Sequence, residues 1–147
     1  LDRLGLGLEE AFRQLSKESG LLGMSGLSND LRDIREAAAS GNERAAATVD
    51  FLVHEIRRYL GSFAFLLGGL DVVSFTAGIG ENDTTLRARV LGGLEDFGIR
   101  LDPARNADPD ASGGLVSADG SAVEVRVIPA NEERVVALET WRHLRNN

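Results

Sequence analysis

The chain has 147 residues, 43% of them hydrophobic and 27% charged, with a formal net charge of −7 and no cysteine. This size and composition describe a soluble globular protein of one ordinary domain with a real core. The acid excess excludes a general binder of nucleic-acid backbones, and the lack of cysteine excludes a disulfide framework or a thiolate zinc site. No run is apolar over the length needed to cross a bilayer, and a cytoplasmic location is expected.

The opening "LDRLGLGLEEAF" starts partway into an apolar pattern and reads as part of something longer. Leu8, Ala11, Phe12 and Leu15 recur at helical spacing, which predicts a helix from about Leu8 to Glu18 ended by Ser19-Gly20. "GLLGMSGLSND", Gly20 to Asp30, is too glycine-rich for a helix and too apolar for a solvated linker, so a partly buried loop is expected. Ser28, Asn29 and Asp30 offer caps for a short helix "LRDIREAAASG", with Asp33 or Glu36 free to pair with Arg32 or Arg35 on its surface.

Asn42 caps the longest periodic segment, in which Ala46, Val49, Val53, Ile56, Leu60, Phe63 and Leu67 keep steps of three and four. Unbroken from Asn42 to Leu67, that helix would be roughly 40 Å long. Its second half, "YLGSFAFLLGG", is apolar on nearly every side and calls for something packed on the second face, a larger parent or a dimer partner. His54 and His143 lack a second ligand at metal spacing and read as structural or solvent-facing. Tyr59 and Trp141 read as packing residues.

Leu70 opens an apolar, β-branched strand that meets "TAGIGEN" and then a helix carrying Leu86, Val90, Leu91, Leu94 and Phe97, capped by Asp83 or Asn82. "IRLD" reads as a brief strand, and "PARNADPDASGG", Pro103 to Gly114, as an exposed acidic loop. "LVSADGSAVEVRVIPA" reads as a hairpin turning at Asp119-Gly120, and Asn131 caps a last helix. Strands alternate with helices, so the class is α/β.

Three stretches carry chemistry. In "GIGEN" the glycines let main-chain N–H groups approach a ligand at a helix start, which suits phosphate or a nucleotide; an ordinary strand–turn–helix joint needs the same residues. A dinucleotide fingerprint does not fit, because Asp83 stands where the third glycine belongs, and no P-loop is present. In "NEE", Glu132 and Glu133 stabilise a helix start through its dipole, or one of them serves a hydrated Mg²⁺. In "SNDLRDIREA", Arg32 either stacks on a base or ribose, or caps and pairs locally.

Together, "SGLLGMSGLSNDLRDI", "FTAGIGEND" and "VRVIPANEERVVALET" resemble, in order and spacing, the carboxyl-terminal part of the acetate kinases, and the resemblance spans nearly the whole chain. It implies an actin and sugar-kinase-like (ribonuclease H-like) α/β fold of two domains closing over a cleft, of which residues 1–147 would form most of the second. It implies a Mg²⁺-dependent phosphotransferase acting on ATP and acetate to give ADP and acetyl phosphate. Asp30, Leu31 and Arg32, with Gly78, Ile79, Gly80, Glu81 and Asn82, would line the nucleotide pocket, Gly78 and Gly80 by giving close access to the main chain. Glu132 would be the metal-associated acid, leaving Glu133 to cap its helix.

Two departures stand out: Ala130 where the family usually has Thr, and Asn29 where Ser is frequent. The family's amino-terminal domain brings an Asn for Mg²⁺, two arginines, a His and an Asp, and these have no counterpart here. The resemblance therefore implies no catalytic residue in this chain and a fragment that is inert alone. It also implies a homodimer, with neither nucleic acid nor membrane as a partner. A kinase for propionate or another short acid, or an association module with a vestigial pocket, remain alternatives.

Overall fold

The computed structural model describes residues 5–145, apart from the side chain of Glu132. The chain forms two compact units, Leu1–Tyr59 and Leu60–Asn147.

The first unit is helical. Helix α1 (Leu8–Arg13) continues as a wider π-helical turn over Gln14–Glu18, so the predicted first helix is present in two forms. The segment expected to be a loop begins instead with a helix, α2 (Gly20–Ser25), ended by Gly26 at φ +66°. Six residues with two glycines do not form a stable helix on propensity. Here Arg44 supplies what propensity lacks, its Nε and Nη2 donating to the carbonyls of Met24 (2.6 Å) and Gly23 (3.1 Å).

Helix α3 (Leu31–Ala39) is capped as the sequence predicts, Asp30 accepting the N–H of Arg32 at 2.9 Å. Asn42 caps α4 (Glu43–Leu67) through Ala45, at 3.0 Å. Leu31, Ile34, Ala45, Val49 and Val53 are buried in this unit. Burying each such side chain contributes roughly 1.5–3 kcal/mol for the larger ones.

The second unit is built on strands. Strand β1 (Val72–Thr76) pairs in parallel with β2 (Glu124–Ile128), in register from Val72↔Glu124 to Thr76↔Ile128. On the other side of β2 the predicted hairpin is formed. Val116 N–H donates to Val125 O and Val127 N–H to Gly114 O, both at 2.8 Å, and Gly120 takes φ +79° at the turn. Leu101 then bridges Ser117, so "IRLD" does add a short antiparallel edge.

After β1 comes α5 (Ala77–Asn82), then α6 (Thr84–Leu91), whose Asp83 cap accepts Leu86 N–H at 2.8 Å. The helix expected to reach Phe97 stops at Gly92, because Gly93 turns the chain at φ +75°; Phe97 sits exposed in a separate 3₁₀ turn. The supposed acidic loop contains α7 (Pro103–Ala107), capped by Asp102, and a 3₁₀ turn over Asp110–Ser112. Helix α8 (Glu132–Arg145) follows β2. Leu86, Val90, Leu91, Ile99, Val116, Val123, Val125 and Val127 form the core, the three valines from Val123 on alternating with polar partners as a half-buried strand requires.

Among the described residues, no helix is long and apolar enough to cross a membrane. The end of α4 exposes Phe63, Phe65, Leu66 and Leu67, with Phe65 88% exposed, and α8 exposes Val135, Val136, Leu138, Trp141 and Leu144. Tyr59 and Trp141, read as packing residues, are each about half exposed and carry an arginine over the ring, Arg58 at 4.3 Å and Arg145 at 4.6 Å. His54 and His143 face solvent.

Candidate functional site

The two parallel strands end side by side, at Thr76 and Ile128, and each is followed within four residues by a helix. In parallel α/β sheets this carboxyl edge is where ligands bind. Both candidate motifs of the second unit, Gly78–Asn82 and the start of α8, therefore lie at the same edge.

"TAGIGEN" is not a bare turn: its last six residues form α5. Entry into that helix is strained, since Ala77 takes φ +60°, a conformation that costs a non-glycine residue about 1–2 kcal/mol. The two glycines do different things. A Cβ on Gly80 would lie 3.2 Å from the main-chain carbon of Phe75, a tight contact that glycine avoids where the helix folds back on its own strand. A Cβ on Gly78 would meet nothing within 4 Å, which leaves that main chain open to a ligand. Ile79 beside it holds an apolar side chain 46% exposed. Asn82 is exposed, and its amide donates back to Gly78 O at 2.8 Å.

What holds this segment is a side chain that sequence reading passed over. Arg87 is fully buried, and its Nη1 donates to the carbonyls of Gly80 and Glu81, both at 2.8 Å. Its Nε and Nη2 donate to the side chain and main chain of Asn106, again at 2.8 Å, while Asn106 donates to Thr84 O at 2.9 Å. Burial lowers the Arg87 pKa from its ordinary value, with the charge of Asp83 opposing that. One signal was available: Leu86, Val90 and Leu91 set the buried face of α6, and residue 87 falls on it.

The second link is Glu81. Its Oε1 accepts the N–H of Ala130 at 2.9 Å, joining the segment after β1 to the segment after β2. This bond uses main chain on the Ala130 side and needs no hydroxyl there. The Glu132 side chain lies outside the described residues, and Glu133 is exposed in the first turn of α8.

A cleft of about 550 Å³ borders the far end of α5, lined by Glu81, Asn82, Thr84, Arg87, Asp108, Asp110, Gly114 and Pro129. Gly78 and Ile79 lie outside it. Three carboxylates on its wall make it a poor place for phosphate, since the guanidinium it reaches is already spent on four carbonyl-type oxygens.

In the first unit, Asp30 and Arg32 pair with each other, Nη2 to Oδ2 at 2.6 Å, where Asp33 or Glu36 was the partner offered for Arg32. Asp33 accepts from Ser28 instead. The Arg32 side-chain and main-chain donors hold the Asp30 carboxyl down at about 2. The Arg32 side chain is 90% exposed. Leu31 is buried at 4% exposure.

The Acetokinase family's sequence model matches residues 1–138. Acetate kinases of Leifsonia xyli and Staphylococcus haemolyticus are 48% and 46% identical over 92% and 95% of the chain. The chain spans about a third of the length of those relatives, 34% and 35%. Among solved structures, Porphyromonas gingivalis acetate kinase is similar over 97% of this chain and 36% of its own, at 36% identity and a TM-score of 0.79. A propionate kinase from Francisella tularensis is similar over 90% of this chain and 33% of its own, at 32% identity and a TM-score of 0.74. The α/β fold is thus of the actin and sugar-kinase type that the motifs led one to expect, and the chain belongs to the acetokinase family.

Proposed function

We propose that this chain is most of the carboxyl-terminal, nucleotide-binding half of a carboxylate kinase that passes a phosphoryl group between ATP and acetate. The observation that carries this reading is the open main chain at Gly78 with the exposed Ile79 beside it, on a segment that Arg87 fixes from below. Ile79 offers an apolar ledge for a purine, and Gly78 and Asn82 offer main-chain and amide groups.

No group of three His, Asp or Glu able to hold a metal occurs among the described residues. Mg²⁺ carried in on nucleotide phosphates needs only one or two protein carboxylates. Glu132 would supply one such carboxylate. When bound, Mg²⁺ neutralises charge on the transferring phosphoryl group. Such transfer also needs donors on the far side of that group, so these residues alone would bind nucleotide without turning it over. Placement in the cytoplasm goes with this reading.

Titration calorimetry of the 147-residue chain with MgADP tests it, alongside an acetyl phosphate assay. Saturable heat without turnover is expected; no heat at millimolar nucleotide would leave the association-module reading standing, and turnover would refute the claim of an inert fragment. The propionate kinase likeness favours a second reading as to substrate, which acyl phosphate formation by the full-length enzyme separates. Homodimerisation is part of the proposal, supported by exposed Phe65, Leu66 and Leu67 on α4; a strictly monomeric sedimentation profile would remove it.

A further inference from the structure

We propose that Glu81 is a positioning residue: through the N–H of Ala130 its carboxylate fixes Gly78–Asn82 against the start of α8. The β1–β2 ladder ends at Thr76↔Ile128, and Pro129, having no N–H, cannot extend it. The first donor beyond the ladder is Ala130, and Glu81 takes it at 2.9 Å.

Glu81 is held at both ends, its carbonyl by the buried Arg87 and its carboxylate by Ala130. A charge-assisted bond of this kind is short and directional, and it spans the two segments that follow the sheet's carboxyl edge. Glu81 therefore serves the site by setting where Gly78 and Ile79 stand, and its effect on ligand passes through them. The consequence for affinity rests on the nucleotide reading above; the tie itself does not.

The test uses the whole chain with Glu81→Ala, Glu81→Gln, Ala130→Pro and the double variant Glu81→Ala/Ala130→Pro. Amide exchange at Ala130 reads the tie without any ligand. It should quicken about tenfold in Glu81→Ala and return close to the parent rate in Glu81→Gln, whose Oε1 still accepts. MgADP affinity should fall about three- to tenfold in Glu81→Ala and in Ala130→Pro, and the double variant should lose no more than the weaker single, since both remove one interaction. Unchanged Ala130 exchange in Glu81→Ala overturns the proposal, as do losses that multiply in the double variant, the mark of a direct ligand contact. If the parent chain takes up no MgADP, the nucleotide reading falls, while Ala130 exchange still upholds or overturns the tie.

Discussion

Arg87 gives the sharpest quantitative expectation. Its guanidinium makes four hydrogen bonds at 2.8 Å, to Gly80 O, Glu81 O, and the Oδ1 and O of Asn106, and it has no exposed surface. Each such bond contributes about 1 kcal/mol net, and a buried acceptor left unpaired costs about 1–3 kcal/mol. Arg87→Ala also removes packed methylenes, at about 0.8 kcal/mol each. Against these losses stands relief from keeping a cation out of water, offset here by no ion pair among the bonds just named. The balance puts Arg87→Ala at about 4 kcal/mol less stable, a large part of the 5–15 kcal/mol that holds a typical domain.

Urea unfolding checks this. Trp141, the chain's one tryptophan, lies in the second unit and reports on it by fluorescence. With a slope of about 2 kcal/mol per molar urea, the midpoint should drop by roughly 2 M. Arg87→Lys keeps the charge but cannot span both carbonyls and Asn106, so it should fall between, by about 2–3 kcal/mol. A variant Arg87→Ala that unfolds within 1 kcal/mol of the parent, with the slope unchanged, would show that the buried guanidinium holds nothing.

The two glycines of α5 should separate. Gly80→Ala should destabilise by about 1–2 kcal/mol in thermal melts, because its Cβ meets the Phe75 main chain at 3.2 Å. Gly78→Ala should hold or gain up to about 1 kcal/mol, as an open helical glycine does, yet weaken MgADP if a ligand lies against that main chain; no loss of affinity would count against this. Asp30 gives a pH dependence. Its folded-state pKa, about 2 and below the ordinary 3.8, means that its contribution is complete above about pH 5 and is lost as pH falls through about 2. The gap in melting temperature between the parent and Asp30→Ala should therefore narrow from pH 5 to pH 2, and a constant gap would deny the Asp30–Arg32 pair any role.

Capping chemistry and period carried most of the architecture from sequence. Asp30, Asn42 and Asp83 each cap the helix that follows, because a side-chain oxygen one residue before a helix is a local device; Asp102 does the same for α7, where only a loop was expected. The alternation through Val123, Val125 and Val127 gave β2, and Gly120 its turn. The α2 and α5 helices were illegible for the opposite reason. Glycine-rich stretches of six residues carry no helical signal of their own, and their stability comes from Arg44 and Arg87, arginines 20 and 7 residues downstream. Nothing within those six-residue stretches announces such a partner; for Arg87 the one signal lies on α6, on the face of Leu86, Val90 and Leu91. Exposure of the α4 and α8 apolar faces was half foreseen for α4, whose all-round apolarity marks a surface that the described residues leave exposed.

Arg87 also shows why the candidate site can be open yet fixed. A short helix leaves its last carbonyls without partners, and a guanidinium fork can satisfy two of them at once. Arg87 does this for α5 from the buried side, so the opposite side of Gly78 and Ile79 needs no covering side chain to stay ordered. Strain enters at the same place: Ala77 at φ +60° and Asn131 at φ +46° are the non-glycine residues with positive φ among the described residues, and they stand just after β1 and just after β2. Such conformations persist only where the surroundings over-determine them. Around Ala77 they do, with the parallel ladder fixed before it and Gly80 and Glu81 gripped after it. Glu81 then hands that constraint to Ala130, one residue short of the second strained position. The rigidity of this edge thus originates in a cation buried beneath it, and a ligand arriving above would meet main chain already held in place.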